Sequence, residues 1–284
     1  MIPADFEYVR AQSVRDVVDA LAQHGDEAKL LAGGHSLLPI MKLRLAIPEV
    51  VVDLERVDDL SGISDGGDHV AIGAMTRHET IVQHPGVREH CGLLAEATAQ
   101  VGDPQVRHRG TIGGALAHGD AAGDLPAVAV AMGFELVAEG PTGRRTIPAR
   151  DFFVDYLQTA LSDDEVLVEV RVPKYDGWGH RYEKFNRVAQ AWAIVGAAAM
   201  VRRENGAIAE ARVGLTHMAS VPLRAEAAEQ ALAGVPAEED AVAAAAARAD
   251  DGADPPSDVN AAPDYRRHLA HVLTRRAVLA AAGS

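Results

Sequence analysis

The chain has 284 residues, of which 48% are apolar, and it carries a formal net charge of −14 at pH 7. This acidity argues against a non-specific nucleic-acid-binding protein, because such binding needs a basic face that neutralises phosphates. Its apolar runs are all shorter than the about 20 residues that span a bilayer. Its first residues lack the basic region and apolar core of a signal peptide, so we expect a cytoplasmic protein without a membrane span.

The first part of the chain mixes helical and strand patterns. Apolar spacing and short apolar runs predict a helix over Ser13–Gln23, strands at Lys29–Ala32 and Val50–Leu54, and a helix over Leu93–Val101. Ser13 is expected to cap the first helix, and Gly25 is expected to end it. Thr76 is expected to cap a further short helix that runs through Ile81.

The pattern changes to strands between residues 134 and 172. Valines occupy every second position from Val166 to Val172, which is the period of a β-strand. The run Pro173-Lys174-Tyr175-Asp176-Gly177 then interrupts this pattern. We therefore predict two domains, residues 1–176 and residues 177–284.

The second part is predicted to be a small sheet followed by helices. Asn205-Gly206 favours the positive φ angles of a tight hairpin, so Ala193–Val201 and Ala207–Thr216 are expected to form an antiparallel pair. Helical spacing follows at Leu223–Leu232, Glu238–Arg248 and Asp264–Ala282. The whole chain is therefore predicted to be α+β, with a mixed first domain and a smaller sheet-plus-helices domain.

A pair of glycines follows the predicted strand at Lys29–Ala32, in the run Leu31-Ala32-Gly33-Gly34-His35-Ser36-Leu37-Leu38-Pro39. Glycines let backbone N–H groups approach a diphosphate closely, and successive N–H groups can form an anion nest. Ser36 can cap the next turn or bond a phosphate oxygen. Taken alone, the segment is a weak signal, because a Gly-Gly pair after a strand is more often only a tight turn.

A second pair of glycines lies in Thr111-Ile112-Gly113-Gly114-Ala115, and the segment continues through His118 and Asp120 to Asp124. Two such loops can hold a diphosphate from two sides. Neither loop matches the Rossmann fingerprint or the P-loop. A dinucleotide is therefore expected to bind through another fold.

At this spacing, the two motifs together resemble those of the FAD-binding medium subunits of the carbon monoxide dehydrogenase and xanthine dehydrogenase family, the molybdenum hydroxylases. The likeness extends over the whole chain and includes Gly73–Arg77, Asp151-Phe152-Phe153 and Tyr182-Glu183-Lys184-Phe185. It implies a vanillyl-alcohol-oxidase-type (PCMH-like) FAD-binding domain, followed by a C-terminal domain special to these flavoproteins.

The resemblance also implies which residues contact FAD. The first loop would surround the pyrophosphate, Asp124 would contact the flavin nucleotide, and Val101, Leu167 and Lys184 would lie beside the isoalloxazine ring. The full predicted set is Leu31, Ala32, Gly33, Gly34, His35, Ser36, Leu37, Leu38, Val101, Thr111, Ile112, Gly113, Gly114, Ala115, Asp124, Leu167 and Lys184. No catalytic side chain and no metal ligand of this chain is implied.

Three of these residues have alternative interpretations. Relatives commonly have Gln at the position of His35, which could also be a covalent attachment point for the flavin. Lys184 could simply pair with Glu183 or another acid. Asp124 could serve as the N-cap of a helix over Leu125–Met132.

The only cysteine, Cys91, cannot hold an iron–sulfur cluster, which needs about four thiolates. Electrons must therefore reach this chain from clusters held elsewhere. The resemblance implies a small partner subunit with two [2Fe–2S] clusters and a large partner with the molybdopterin centre, in a dimer of heterotrimers. It makes this chain the electron-transfer subunit of an oxidoreductase, most like aerobic carbon monoxide dehydrogenase, which passes electrons through FAD to an external acceptor.

Two other functions remain open at this point. One is a self-sufficient flavoprotein oxidase or reductase with its own substrate site, and the other is a flavin-binding scaffold without a redox role. The substrate of the complex is also open between carbon monoxide, aldehydes, purines and N-heterocycles, because selectivity in this family lies in the molybdenum subunit. The external electron acceptor is equally open.

Overall fold

The computed structural model describes residues 2–283. Its strands are β1 Glu7–Arg10, β2 Ala28–Leu31, β3 Val50–Asp53, β4 Ile63–Asp65, β5 His69–Gly73, β6 Glu135–Gly140, β7 Gly143–Pro148, β8 Phe153–Asp155, β9 Gln158–Thr159, β10 Val166–Pro173, β11 Gly179–Phe185, β12 Val195–Glu204, β13 Ala207–Thr216 and β14 Leu223–Arg224.

The α-helices are α1 Val14–His24, α2 Leu37–Lys42, α3 His78–Gln83, α4 Pro85–His90, α5 Gly92–Ala99, α6 Pro104–Arg109, α7 Ile112–Ala117, α8 Asp124–Met132, α9 Ala149–Phe152, α10 Glu226–Leu232, α11 Glu239–Ala246 and α12 Pro263–Gly283. Short 3₁₀ turns occupy Gly25–Glu27 and Asp58–Leu60. Helices and strands are mixed throughout, so the predicted α+β class is confirmed.

The chain begins with a small parallel sheet in the order β1-β3-β2, which α1 covers. The Ser13 hydroxyl accepts from the Asp16 N–H at 3.1 Å, and the Asp16 carboxylate accepts from the Ser13 N–H at 3.0 Å. This reciprocal capping box satisfies two N–H groups that the helix would otherwise leave unpaired. Gly25, at φ 56°, ends the helix as predicted.

A five-stranded antiparallel sheet in the order β4-β5-β10-β6-β7 forms the centre of the first half. The middle strand, β10, is buried along most of its length because α1 approaches one face and α7 the other. Its register shifts between Leu167 and Glu169. Leu167 belongs to the same apolar cluster as Val170 and Val172, whereas Val166 and Val168 pack in the cluster around α1. The bulge therefore shifts the alternation of faces along β10, and both faces are buried.

The second half is a four-stranded antiparallel sheet in the order β11-β12-β13-β14, covered by α10, α11 and α12. Asn205 and Gly206 adopt φ angles of 52° and 85°, so the predicted hairpin between β12 and β13 is confirmed. All three predicted C-terminal helices are present. The first begins only at Glu226, because Leu223 and Arg224 pair with the end of β13 as strand β14.

The predicted helix cap at Thr76 is wrong. The Thr76 hydroxyl donates to the Gly62 carbonyl and accepts from the Gly62 N–H, both at 3.0 Å. Helix α3 instead starts at His78, with Arg77 at the capping position. The Thr76 hydroxyl therefore bonds to Gly62, which is distant in sequence, and is not available to cap the helix.

The two halves share part of their core. Tyr182, Ala198 and Met200 of the second sheet belong to the apolar cluster that packs around α8 and the five-stranded sheet. The division into residues 1–176 and 177–284 stays a prediction. Within residues 2–283, the helices are all too short or too polar to cross a membrane.

Candidate cofactor site

The first glycine loop connects β2 to α2 and presents unpaired backbone donors. Within residues 2–283, the N–H groups of Gly33, Gly34 and His35 donate to no protein acceptor. Gly34 has a φ of 77°, which other residue types rarely adopt. Ser36 occupies the capping position of α2, but its hydroxyl makes no capping bond. Consecutive free donors around a left-handed glycine form a nest that suits an anion such as a diphosphate.

The second glycine loop, in contrast, forms hydrogen bonds with the rest of the protein. The N–H groups of Ile112 and Gly113 donate to the carbonyls of Thr76 and Ala74, at 3.1 and 2.8 Å. The Gly114 N–H donates to the Thr111 hydroxyl at 3.1 Å, which caps α7. These N–H groups are therefore already paired with protein acceptors. The loop is better suited to positioning the first loop than to donating hydrogen bonds to a ligand.

The two loops lie against each other, as their motifs suggested. A side chain at Gly33 would collide with the carbonyl of Arg109 and would lie 2.8 Å from the Cα of Gly110. A Cβ at Gly114 would lie 3.4 Å from the Cβ of Ala32. The absence of side chains at these glycines therefore allows the backbones to approach closely. The second loop therefore packs against the loop that carries the nest.

His78 lies behind the contact between the loops, and sequence reasoning gave it no role. The imidazole packs on Gly110, since a Cβ there would lie 2.7 Å from its Cδ2. His78 is 3% exposed, and its Nδ1 has no hydrogen-bond partner within residues 2–283. Burial, with smaller contributions from Arg107, His35 and Arg77, lowers the pKa of His78 from 6.5 to about 4.

This buried imidazole predicts a pH dependence of stability. Below pH 6.5 the His78 side chain of the unfolded state becomes protonated, whereas that of the folded state stays neutral down to about pH 4. The free energy of unfolding therefore decreases as the pH is lowered through this window. The contribution of His78 to that fall between pH 7 and pH 5 is expected to be about 2 kcal/mol. Urea unfolding at both pH values should show a smaller loss in a His78→Leu protein. Equal losses in the two proteins would contradict this assignment.

Asp124, Tyr182 and Lys184 form a buried cluster at the junction of the two halves. The Tyr182 hydroxyl donates to Asp124 Oδ1 at 2.6 Å, and Lys184 Nζ donates to Asp124 Oδ2 at 2.8 Å. The side chains of Lys184 and Asp124 are only 4% and 5% exposed. Lys184 also donates to the carbonyl of Gln100 at 3.1 Å. The fold therefore joins two predicted cofactor residues that are far apart in sequence.

Electrostatics in this cluster follow from its burial. Burial raises the pKa of the Asp124 carboxyl, although Lys184 and Tyr182 oppose the change. Burial and the neighbouring carboxylate raise the pKa of Tyr182 well above its usual value, so Tyr182 stays a neutral donor. The cap interpretation of Asp124 is wrong, because Gly123 holds the capping position of α8. The acid that pairs with Lys184 is Asp124, whereas Glu183 pairs with Arg181 at 2.7 Å.

The remaining predicted residues occupy two different settings. Val101 is half-buried beside this cluster, directly after Gln100, and its carbonyl accepts from Arg107 at 3.2 Å. Leu167 is 4% exposed within β10, whose next residue, Val168, accepts from the Ala74 N–H at 3.0 Å. Leu167 belongs to the apolar cluster that includes Ile112 and Leu116 of α7, and β10 packs against α7. The His35 side chain is exposed.

A cleft of about 1070 Å³ begins where the segment after the second loop ends, at Ala121 and Ala122. Its wall includes Trp192, His217 and the fully buried Arg266. The His217 N–H donates to the carbonyl of Ala121 at 2.7 Å, and its Nδ1 lies 3.0 Å from Arg266 Nη1. The sequence analysis missed these residues, because Trp192, His217 and Arg266 are far apart in the sequence and converge only in the folded second half.

Consecutive unpaired N–H groups in the first glycine loop, packed against the second loop, are a feature of the class of proteins that bind the diphosphate of a dinucleotide. Residues 4–175 match the family model described as the FAD binding domain in molybdopterin dehydrogenase. Residues 180–281 match the model described as the CO dehydrogenase flavoprotein C-terminal domain. The chain therefore belongs to the flavoprotein family of the molybdopterin dehydrogenases.

Individual relatives agree with this family. The chain is 44% identical to the carbon monoxide dehydrogenase medium chain of Hydrogenophaga pseudoflava, covering 99% of this chain and 98% of the relative. It is 36% identical to the nicotine 6-hydroxylase medium subunit of Paenarthrobacter nicotinovorans, covering 99% and 98%. A chain of the cyanide-inactivated Cu,Mo-CO dehydrogenase superposes with a TM-score of 0.97 at 39% identity, covering 100% of this chain and 99% of that chain.

These findings decide several predictions made from the sequence. The predicted family, its FAD-binding fold and FAD as the cofactor of this chain are confirmed, and so is the assignment to the oxidoreductases. The free N–H groups at Gly33, Gly34 and His35 fit the diphosphate of FAD. The assignment of individual residues to FAD stays a prediction.

Proposed function

We propose that this chain is the FAD-carrying electron-transfer subunit of a heteromeric molybdenum hydroxylase, most like aerobic carbon monoxide dehydrogenase. The observation that carries the proposal is the nest of unpaired donors at Gly33, Gly34 and His35, in a chain that matches such flavoproteins along its whole length. Bound FAD supplies the redox chemistry. The residues of this chain bind and orient it.

Each part of the site has a distinct proposed task. The N–H groups of the first loop would hold the diphosphate, and the Ser36 hydroxyl is free to donate to it. The second loop, Thr111–Ala115, would hold the first in place. Lys184 and Asp124 would present a buried ammonium and carboxylate toward the flavin end, with Val101 and Leu167 as apolar neighbours. We assign no general acid or base, because electron transfer to a bound ring needs orientation rather than proton transfer by the protein.

The single cysteine of the chain means that any iron–sulfur cluster must be held by a partner. Cys91 is fully buried and cannot ligate a cluster alone. From the family to which the chain belongs, we propose a small [2Fe–2S] subunit and a large molybdopterin subunit, assembled as a dimer of heterotrimers, with the cytoplasm as the predicted compartment. Carbon monoxide is the first candidate substrate, because the carbon monoxide dehydrogenase medium chain shares 44% identity with this chain.

The proposal predicts that the isolated chain cannot oxidise the substrate of the complex. Under anaerobic conditions its flavin absorption should persist when carbon monoxide, an aldehyde, a purine or nicotine is added, yet bleach with dithionite. Addition of the co-purified iron–sulfur and molybdenum subunits should allow one of these substrates to bleach the flavin. Bleaching of the isolated chain by a substrate would instead establish a self-sufficient oxidase. Failure of the reduced partners to bleach the flavin would favour a scaffold.

FAD is predicted to be held without a covalent bond. Precipitation of the protein with acid should release a yellow flavin that migrates as FAD, because hydrogen bonds from a nest do not survive unfolding. Flavin that stays with the pellet would indicate attachment, and loss of that retention in a His35→Ala protein would identify the attachment point.

A further inference from the structure

The turn that follows α2 exposes apolar side chains. We name residues 42–47 the basic apolar turn. Leu43, Leu45 and Ile47 are 56%, 76% and 62% exposed. Single exposed aliphatic residues are normal on protein surfaces, whereas several together mark a surface that another molecule covers.

Backbone hydrogen bonds define the shape of this turn. The N–H groups of Leu43, Arg44 and Leu45 donate to the carbonyls of Pro39, Met41 and Ile40 at about 3.0 Å each. Met41, only 2% exposed, anchors the preceding helix in the protein. Arg44 has a φ of 58°, a left-handed conformation that costs an L-residue about 1–2 kcal/mol. The chain therefore maintains a strained, ordered turn whose apolar side chains contribute no burial of their own.

The charge of this region is opposite to that of the whole chain. Residues 28–48 contain Lys29, Lys42 and Arg44 but neither aspartate nor glutamate, although the net charge of the chain is −14. Within residues 2–283, Lys42 and Arg44 form no ion pair. An apolar surface bordered by free cations complements an apolar surface bordered by carboxylates.

The location of the turn identifies the partner. Helix α2, six residues long, has the nest of Gly33, Gly34 and His35 just before it and the basic apolar turn at its end. At about 1.5 Å per residue, such a helix spans about 9 Å. A subunit docked on the turn would therefore lie next to the cofactor loop. The subunit that must approach FAD is the one that delivers electrons to it.

We propose that the basic apolar turn is the docking surface for the iron–sulfur subunit, through an apolar patch bordered by acidic residues on that subunit. The inference rests on the proposed function, because it takes the cluster-bearing partner from there. A second copy of this chain is a poorer occupant. A two-fold symmetric contact would bring Lys42 and Arg44 of both copies together.

The test measures binding of the purified iron–sulfur subunit to the FAD-loaded full chain. A Leu43→Glu/Leu45→Glu protein should bind that subunit at least tenfold more weakly, because carboxylates replace the apolar contact and face acidic residues. Its bound flavin should be reduced correspondingly more slowly by the pre-reduced subunit. The matched control is Val259→Glu, since Val259 is 95% exposed in the second half of the chain. It should behave as wild type.

A second variant separates charge from apolar contact. A Lys42→Glu/Arg44→Glu protein should also bind more weakly. Added salt should strengthen its binding, the opposite of its effect on wild type, because the attraction becomes a repulsion that salt screens. FAD content must equal that of wild type in both variants, which excludes misfolding as the cause. Wild-type affinity in both variants would overturn the inference. So would weakening only of self-association, of binding to anionic vesicles or of binding to the large subunit.

Failure of the inference and failure of the proposed function give different results. If the iron–sulfur subunit binds wild type and both variants equally and reduces the flavin in all of them, the function stands and the docking surface is elsewhere. If the reduced subunit does not reduce the flavin even of wild type, the proposed function itself fails.

Discussion

Replacing Asp124 by alanine is expected to lower the free energy of unfolding by about 3–5 kcal/mol. The change leaves the Lys184 ammonium, whose side chain is 4% exposed, without its carboxylate in a site that water does not reach. It also removes the acceptor of the Tyr182 hydroxyl. Urea unfolding measures the loss. Asp19→Ala, which breaks an exposed pair with Arg15, provides the control and should cost far less.

The double variant Asp124→Leu/Lys184→Met separates the structural role of the pair from its role toward FAD. Apolar side chains of similar size remove both buried charges together, so most of the lost stability should return. A deficit of about 1–3 kcal/mol should remain, because the Tyr182 hydroxyl still lacks its acceptor. If the pair also orients the flavin, FAD affinity should remain reduced in this stable protein. Wild-type affinity in the double variant would assign the pair to structure alone. A single Asp124→Ala variant as stable as wild type would contradict the burial of the pair.

Replacing Gly34 by valine is expected to weaken FAD binding by about 100-fold, which corresponds to about 2.7 kcal/mol. A β-branched residue is strained at a φ of 77°, and its Cβ would lie 2.9 Å from Leu38 Cδ1. The loop would relax away from the conformation that aims its N–H groups at the diphosphate. Flavin fluorescence titration measures affinity, and circular dichroism reports whether the fold survives.

Gly67→Val is the matched control for this change. Gly67 has a φ of 90° on a different loop, and a Cβ there would meet nothing within 4 Å. It therefore introduces similar backbone strain without touching the cofactor loops. FAD affinity should remain that of wild type in this protein. Equal loss of FAD in both variants would mean that general destabilisation, not the nest, controls binding.

Local features of this chain were readable from the sequence because each depends on neighbouring residues. Ser13 caps a helix through Asp16, three residues away, and Asn205-Gly206 turns a hairpin through its own φ angles. The first glycine motif belongs to the same class, since its donors and its left-handed Gly34 lie within a few residues. The family and FAD were indicated by the resemblance of the two glycine motifs, and of further segments along the chain, to a known flavoprotein family.

Tertiary structure decided which groups meet. Asp124 and Lys184 were separate predictions with separate alternatives, and only the packing of α8 on the second sheet makes them partners. Gly113 was expected to approach a diphosphate, whereas its N–H bonds Ala74 and a Cβ there would lie 2.6 Å from the Ala74 carbonyl oxygen. The burial of His78 followed no pattern in its surroundings. A glycine or a charged residue specifies what its backbone or side chain can do, but its partner is selected by long-range packing, which no local window of sequence contains.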